Sequence, residues 1–157
     1  MEEYDFTLFG NNINTDDIIS GRFLRTSDIT DWKEHIFEDY DPNLKEKLRK
    51  SPLIVAGAKF GCGSSREQAV LALKMNGIKY IMAITFGKIF YRNCINHGIS
   101  PITISEQHYH DYATRKKIAE KELLAQINFS PLVDNILTAG GLISFFHKKN
   151  LIKVYHN

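Results

Sequence analysis

The sequence predicts an α/β protein built as one domain. Three observations lead there. Short apolar runs, Leu53–Ala56, Tyr80–Thr85 and Pro101–Ile104, recur at the spacing of parallel strands. The stretches between them carry a helical period and close on glycine, at Gly77 and Gly98. The chain has 157 residues, 43% of them apolar, enough for one sizeable core. Strand, loop, helix, strand, helix, strand is the rhythm of a parallel sheet with helices packed against it.

Taken in order, Tyr4 to Phe9 alternates like a strand. Gly10 to Gly21 is a polar loop rich in Asn and Asp, residues that form Asx turns. Ser27 or Asp28 caps a short helical piece. Asp41-Pro42-Asn43 opens a helix running to Lys50, with proline in its first turn. Residues 65–76 form a helix with Gly77 just past its end, and Lys88–His97 forms another, closed by Gly98. Glu106–Ala125 reads as one charged helical stretch. Leu132–Leu137, Leu142–Phe146 and Leu151–Tyr155 read as strands, with Gly140-Gly141 as a turn, so a β-rich tail is expected.

The totals narrow the chemistry. Net charge is +2, and the densest basic groups, Lys45–Lys50 and Arg115–Lys121, are interleaved with Glu or apolar residues, as on solvated helix faces. That argues against nucleic acid as a partner. No apolar run approaches the roughly 20 residues of a membrane span, and Met1-Glu-Glu-Tyr-Asp5 has no apolar signal core. No membrane association and a cytoplasmic location are expected. There are two cysteines, Cys62 and Cys94, too few for a disulfide framework or for the three or four thiolates of an iron–sulfur cluster. No Cys or His pair has the spacing of a zinc site, so no metal is expected on this chain.

The informative stretch is Gly57-Ala-Lys-Phe-Gly-Cys-Gly-Ser-Ser-Arg-Glu-Gln-Ala69, directly after the buried run. A strand feeding a glycine-rich turn that opens a helix is an anion site: free N–H groups and the positive helix end face the loop. Gly61 and Gly63 let the backbone bend and approach a ligand. Two familiar versions fail. Arg66 stands where a dinucleotide fingerprint needs its third glycine, and no Gly-Lys-Ser/Thr ending makes a P-loop. Two readings stay open on the residues alone. Ser64-x-x-Glu67 is a capping box, which explains both residues without function. An anion site also explains Ser65 and Arg66, since a first-turn arginine opposes the helix dipole and its fork matches a carboxylate. Among N–H donors, Ser64 could also be stabilised as an alkoxide and act as a base. Cys62 sits where a helix N-terminus can activate a thiol. Cys94 shares the apolar face of its helix with Phe90 and His97 and reads as core, and His97 reads as a partner to the helix C-terminus.

Three stretches together resemble the swivelling domain of the aconitase superfamily, and more closely the small-subunit family of isopropylmalate isomerases. They are Asn14-Thr-Asp-Asp-Ile18, Phe60-Gly-Cys-Gly-Ser-Ser-Arg-Glu67, and Phe86-Gly-Lys-Ile-Phe-Tyr-Arg-Asn-Cys-Ile-Asn-His-Gly98 followed by Ile99-Ser-Pro101. The resemblance implies an aconitase-like β/β/α swivel domain spanning residues 1–157. It implies that Ser64 is the catalytic base, removing a proton beside a carboxylate. It also implies that Arg66 with Ser65 holds a substrate carboxylate, that Asp16 assists, and that Gly61, Cys62 and Gly63 supply loop backbone. Cys62 is then a motif residue and not a cluster ligand. The [4Fe-4S] cluster of the family is expected on a partner large subunit, and the chain alone is expected to be inactive.

The segment after the Thr-Asp-Asp motif contacts the variable group of the substrate in this family. Here it is Phe23-Leu24-Arg25-Thr26, similar to the Tyr-Leu-Arg-Thr form of isopropylmalate isomerases. Phe23 and Leu24 make an apolar wall suited to a branched alkyl group. The implied substrate is a small hydroxy-dicarboxylic acid. The alternatives are the small subunit of a homoaconitase, that of a citramalate- or dimethylmalate-type dehydratase, and a non-catalytic anion-binding module.

Overall fold

The computed structural model describes residues 2–25 and 28–149. Five strands, β1 (Glu3–Leu8), β2 (Leu53–Ala56), β3 (Tyr80–Ala83), β4 (Ser100–Thr103) and β5 (Lys117–Ala119), form one sheet in the order β4-β3-β2-β1-β5. β1 to β4 run parallel, with Ile54 opposite Thr7 on one side and Ile81 on the other; β5 pairs antiparallel with β1. All four residues of β2 are buried. That explains its unbroken apolar run, because a parallel strand has both faces covered.

Alternation sends the two faces to different cores. Ile54, Ala56, Ile81 and Ala83 join one cluster with Val70, Leu73, Phe90 and Cys94. These come from α4 (Glu67–Met75) and α5 (Lys88–His97). Leu53, Val55, Met82 and Ile102 join the other with Tyr112 and Leu123, from α6 (Glu106–Ala113) and α7 (Glu120–Ala125). The first cluster also takes Ile18 of α1 (Thr15–Ile18) and Leu44 and Leu48 of α3 (Leu44–Lys50), while α2 (Ile29–Glu34) packs Trp32 on it. A 3₁₀ turn covers Gly21–Arg25.

Two helix ends follow the expected capping chemistry, whereas α3 starts only at Leu44, so that Pro42 precedes the N-cap Asn43 instead of standing in the first turn. Asp28 caps α2 by accepting from the Thr30 N–H; Ser27, the other candidate, lies outside the described residues. Gly98 closes α5 in the left-handed region at φ 78°.

Several expectations are corrected. The tail is helical where it is described: α8 (Pro131–Thr138) and α9 (Leu142–Lys148) replace two expected strands, and Leu151–Tyr155 lies outside the described residues. Ser130 caps α8 by accepting from the Val133 N–H, with Pro131 in the first turn, a helix start the alternating reading overlooked. Leu132, Val133, Ile136 and Leu137 share a helical spacing as well as an apolar one. The stretch 106–125 is broken by β5, whose Glu3–Asp5 partners exist only in the folded sheet. The Asn/Asp loop contains α1, capped reciprocally: the Asp17 N–H donates to Asn14 Oδ1 at 2.9 Å, and the Asn14 N–H donates to Asp17 Oδ2 at 2.8 Å.

The loops after β1, β2 and β3 meet beyond the carboxyl edge of the sheet. The Gly61 N–H donates to Ile13 O at 2.7 Å, the Gly87 N–H to Phe60 O at 2.9 Å, and the Ala58 N–H to Asn11 Oδ1 at 2.7 Å. Two glycines make this possible. A Cβ on Gly61, at φ +71°, would stand 2.1 Å from the Phe90 ring, and one on Gly87 would stand 2.4 Å from Gly61 O. Among the described residues, no helix is long and apolar enough to cross a membrane.

Candidate functional site

The loop between β2 and α4 places its two serines in the open. Gly63, Ser64 and Ser65 are exposed, while Gly61 is buried and Cys62 and Arg66 are half-buried. The capping box, one of the two open readings, does not form. α4 begins at Glu67 with Arg66 as its N-cap, and no side chain bonds to the cap. The Glu67 carboxylate instead meets His97 Nε2 on α5. His97 is therefore a partner of Glu67, while Lys74 Nζ caps the end of α5 by donating to His97 O at 2.6 Å. Released from capping, the Ser64 hydroxyl has no hydrogen-bond partner among the described residues. Nor, among them, does anything accept from the N–H groups of Gly63, Ser64, Ser65 or Arg66. Unpaired donors beside a hydroxyl at a helix start suit an oxyanion.

The loop is held from below by α1. The buried Thr15 hydroxyl donates to Ser64 O at 2.9 Å, and the Thr15 N–H donates to Cys62 O at 2.9 Å. The next residue, Asp16, pairs with Arg66 Nη1. The same nitrogen lies 3.4 Å from Ile19 O, and the guanidinium rests against Gly21. The Thr-Asp-Asp motif thus reaches both Ser64, through backbone, and Arg66, through charge.

Gly61, Cys62, Gly63, Ser64 and Arg66 line one cavity of about 220 Å³ with Thr15 and the start of α5, including Lys88. Thr15 and Lys88 were not singled out in the sequence. Lys88 stands at the cavity wall without an ion-pair partner among the described residues. Its position in the Phe86–Gly98 motif was the available signal.

The segment Phe23–Arg25 begins where Gly21 meets Arg66. Phe23 and Leu24 pack partly against the core, the Phe23 ring stacked on His35. Arg25 is exposed, and Thr26 lies outside the described residues.

The thiols do not fit an iron–sulfur cluster. Cys94 is fully buried on the inner face of α5, and burial pushes its thiol well above the ordinary range. Only Cys62 reaches the cavity. Among the described residues, no three His, Cys, Asp or Glu side chains are grouped to hold a metal.

Residues 40–107 match the family model of the aconitase C-terminal domain. Over 154 residues the chain is 39% identical to the methanogen homoaconitase small subunit of Methanocaldococcus jannaschii, covering 92% of this chain and 91% of that one. It is 38% identical over 153 residues to the 3-isopropylmalate dehydratase small subunit of Caldanaerobacter subterraneus subsp. tengcongensis, covering 90% and 94%. The crystal structure of a 3-isopropylmalate dehydratase from Methanocaldococcus jannaschii superposes with a TM-score of 0.79 at 35% identity, over 95% of both chains. The chain belongs to the aconitase family, in its branch of 3-isopropylmalate dehydratase and homoaconitase small subunits.

Proposed function

We propose that this chain is the small subunit of a two-chain hydro-lyase that interconverts 2-isopropylmalate and 3-isopropylmalate by dehydration and rehydration, in leucine biosynthesis in the cytoplasm. The observation that carries the reading is the shared cavity of Ser64 and Arg66, with the hydroxyl and four neighbouring N–H groups unpaired. In this reading Ser64, as its alkoxide, removes the proton from the carbon beside a substrate carboxylate, and the loop N–H groups stabilise the negative oxygen beforehand. Arg66 holds that carboxylate in its fork, and Asp16, already on the guanidinium, sets the orientation of the fork. Lys88 at the cavity wall supplies a second cation for a dicarboxylate. The remaining wall comes from a large subunit, to which we assign the family's [4Fe-4S] cluster.

A second reading, a homoaconitase small subunit, is favoured by the methanogen relative at 39% identity, level with the isopropylmalate dehydratase relatives at 38%. The two share the chemistry of this chain and differ in the group beyond the carboxylates. Phe23 and Leu24, which follow the Gly21 that meets Arg66, are the apolar residues that would favour the branched alkyl group.

Anaerobic reconstitution with the cognate large subunit tests the proposal. Formation of the unsaturated acid is followed from isopropylmalate, a citramalate-type acid, citrate and homocitrate. Turnover of isopropylmalate that needs both chains is the expected result. Turnover of homocitrate alone moves the assignment to the second reading. No turnover, with an intact complex and cluster, leaves a non-catalytic anion-binding module.

A further inference from the structure

Phe23 is held by side chains that lie outside every motif quoted above. The His35 imidazole, at the C-terminal cap of α2, stacks on the Phe23 ring with centroids 4.0 Å apart and planes 3° from parallel. The Arg22 guanidinium lies over the same ring, 4.5 Å from its centroid. Glu38 stands behind both: it accepts from His35 Nδ1–H and lies 3.6 Å from Arg22 Nη2. Asp39 pairs with the same Arg22 nitrogen. Two carboxylates therefore fix the two groups that contact the ring.

The turn carrying them is itself fixed. Phe37 is fully buried at φ 54°, a backbone region a bulky residue enters only when its surroundings demand it. Its N–H donates to Ile18 O at 2.8 Å, and its ring stacks on Phe9 at 4.7 Å. Ile18 ends α1, the helix that carries Asp16 and, through it, holds Arg66. The position of the Phe23 ring and that of the Arg66 fork are referred to one framework.

We infer that His35, backed by Glu38, is a positioning residue for substrate selectivity: it sets how far the Phe23 ring stands from the Arg66 fork, and so which side group fits between them. This rests on the reading that Gly21–Arg25 borders the variable group of the substrate. The flat, parallel stack is what a single ring position requires; a smaller side chain at 35 frees one face of Phe23.

The test uses the two-chain holoenzyme carrying His35→Ala or His35→Phe, with kcat and KM measured for isopropylmalate and for citrate, which lacks a branched alkyl group. In His35→Ala the ratio of kcat/KM for isopropylmalate over citrate is expected to fall about tenfold, the worth of one misfitted methylene in an apolar pocket. The change should lie mainly in KM for isopropylmalate. His35→Phe keeps a flat ring for stacking and is expected to restore the ratio. A ratio unchanged in His35→Ala, whether or not the melting temperature drops, overturns the inference, as does a His35→Phe enzyme no more selective than the alanine variant. If the wild-type enzyme prefers an acid without the branched group, the functional reading fails. The positioning role is then judged on that preferred acid by the same pair of variants: a shifted ratio supports it and a constant one overturns it.

Discussion

Ser64 and Arg66 carry the proposed chemistry, and their surroundings separate stability from function. Because Ser64 caps nothing and is exposed, Ser64→Ala should change stability by no more than about 0.5 kcal/mol, as surface substitutions do. Its kcat in the holoenzyme should fall by about 10² to 10⁴, the worth of a positioned base. Wild-type kcat in the reconstituted variant would remove Ser64 as base. Arg66→Lys keeps the charge but loses the fork, so KM should rise about tenfold, one charge-assisted hydrogen bond of roughly 1.5 kcal/mol; unchanged KM and kcat would place the substrate carboxylate elsewhere. At this scale the sequence was legible where a residue breaks a local rule. Arg66, expected in the first turn and found at the N-cap of α4, opposes the dipole, and its ion pair with Asp16 supplies the compensation. Thr15 broke no rule, and its hydrogen bond to Ser64 O spans 49 positions of chain. Its place in the Asn14–Ile18 motif marks the segment but does not say which residue it reaches.

The elements were legible in proportion to how local their causes are. α5 runs from Lys88 to His97 as its period and closing glycine predict. β5 was missed because three residues become a strand only against β1. The tail was misread because alternating and helical spacings overlap in short apolar runs, and the capping pair Ser130-Pro131 received too little weight against them. The Ser64–Glu67 box failed for a tertiary reason: Glu67 had a better partner in His97. One prediction belongs to the loop as an element. Gly61→Ala adds a methyl group at positive φ into the Phe90 ring, so chemical denaturation should show a loss of about 1–3 kcal/mol, typical of overpacking. Unchanged stability would mean that the loop can move away from α5.

At the scale of the whole molecule, a sealed interior on both faces of the sheet contrasts with an open loop cluster at its carboxyl edge, and the two cysteines report the contrast. Cys94 is fully buried with its thiol raised by desolvation, whereas Cys62 lines the cavity. Alkylation of the native chain near pH 8 should modify Cys62 alone, Cys94 reacting only after unfolding. Mass spectrometry of the peptides checks this, and native labelling of Cys94 would show that the core opens.

The exposure of Gly63, Ser64 and Ser65 has a consequence for how such an enzyme behaves in a dilute cell extract. A reaction chamber with one wall on each chain exists only while the chains are together, so mass action governs how many chambers exist. Specific activity should then decline on dilution below the dissociation constant of the pair and return when the second chain is added in excess. A specific activity independent of concentration, in the absence of any permanent complex, would mean that this chain closes the chamber by itself.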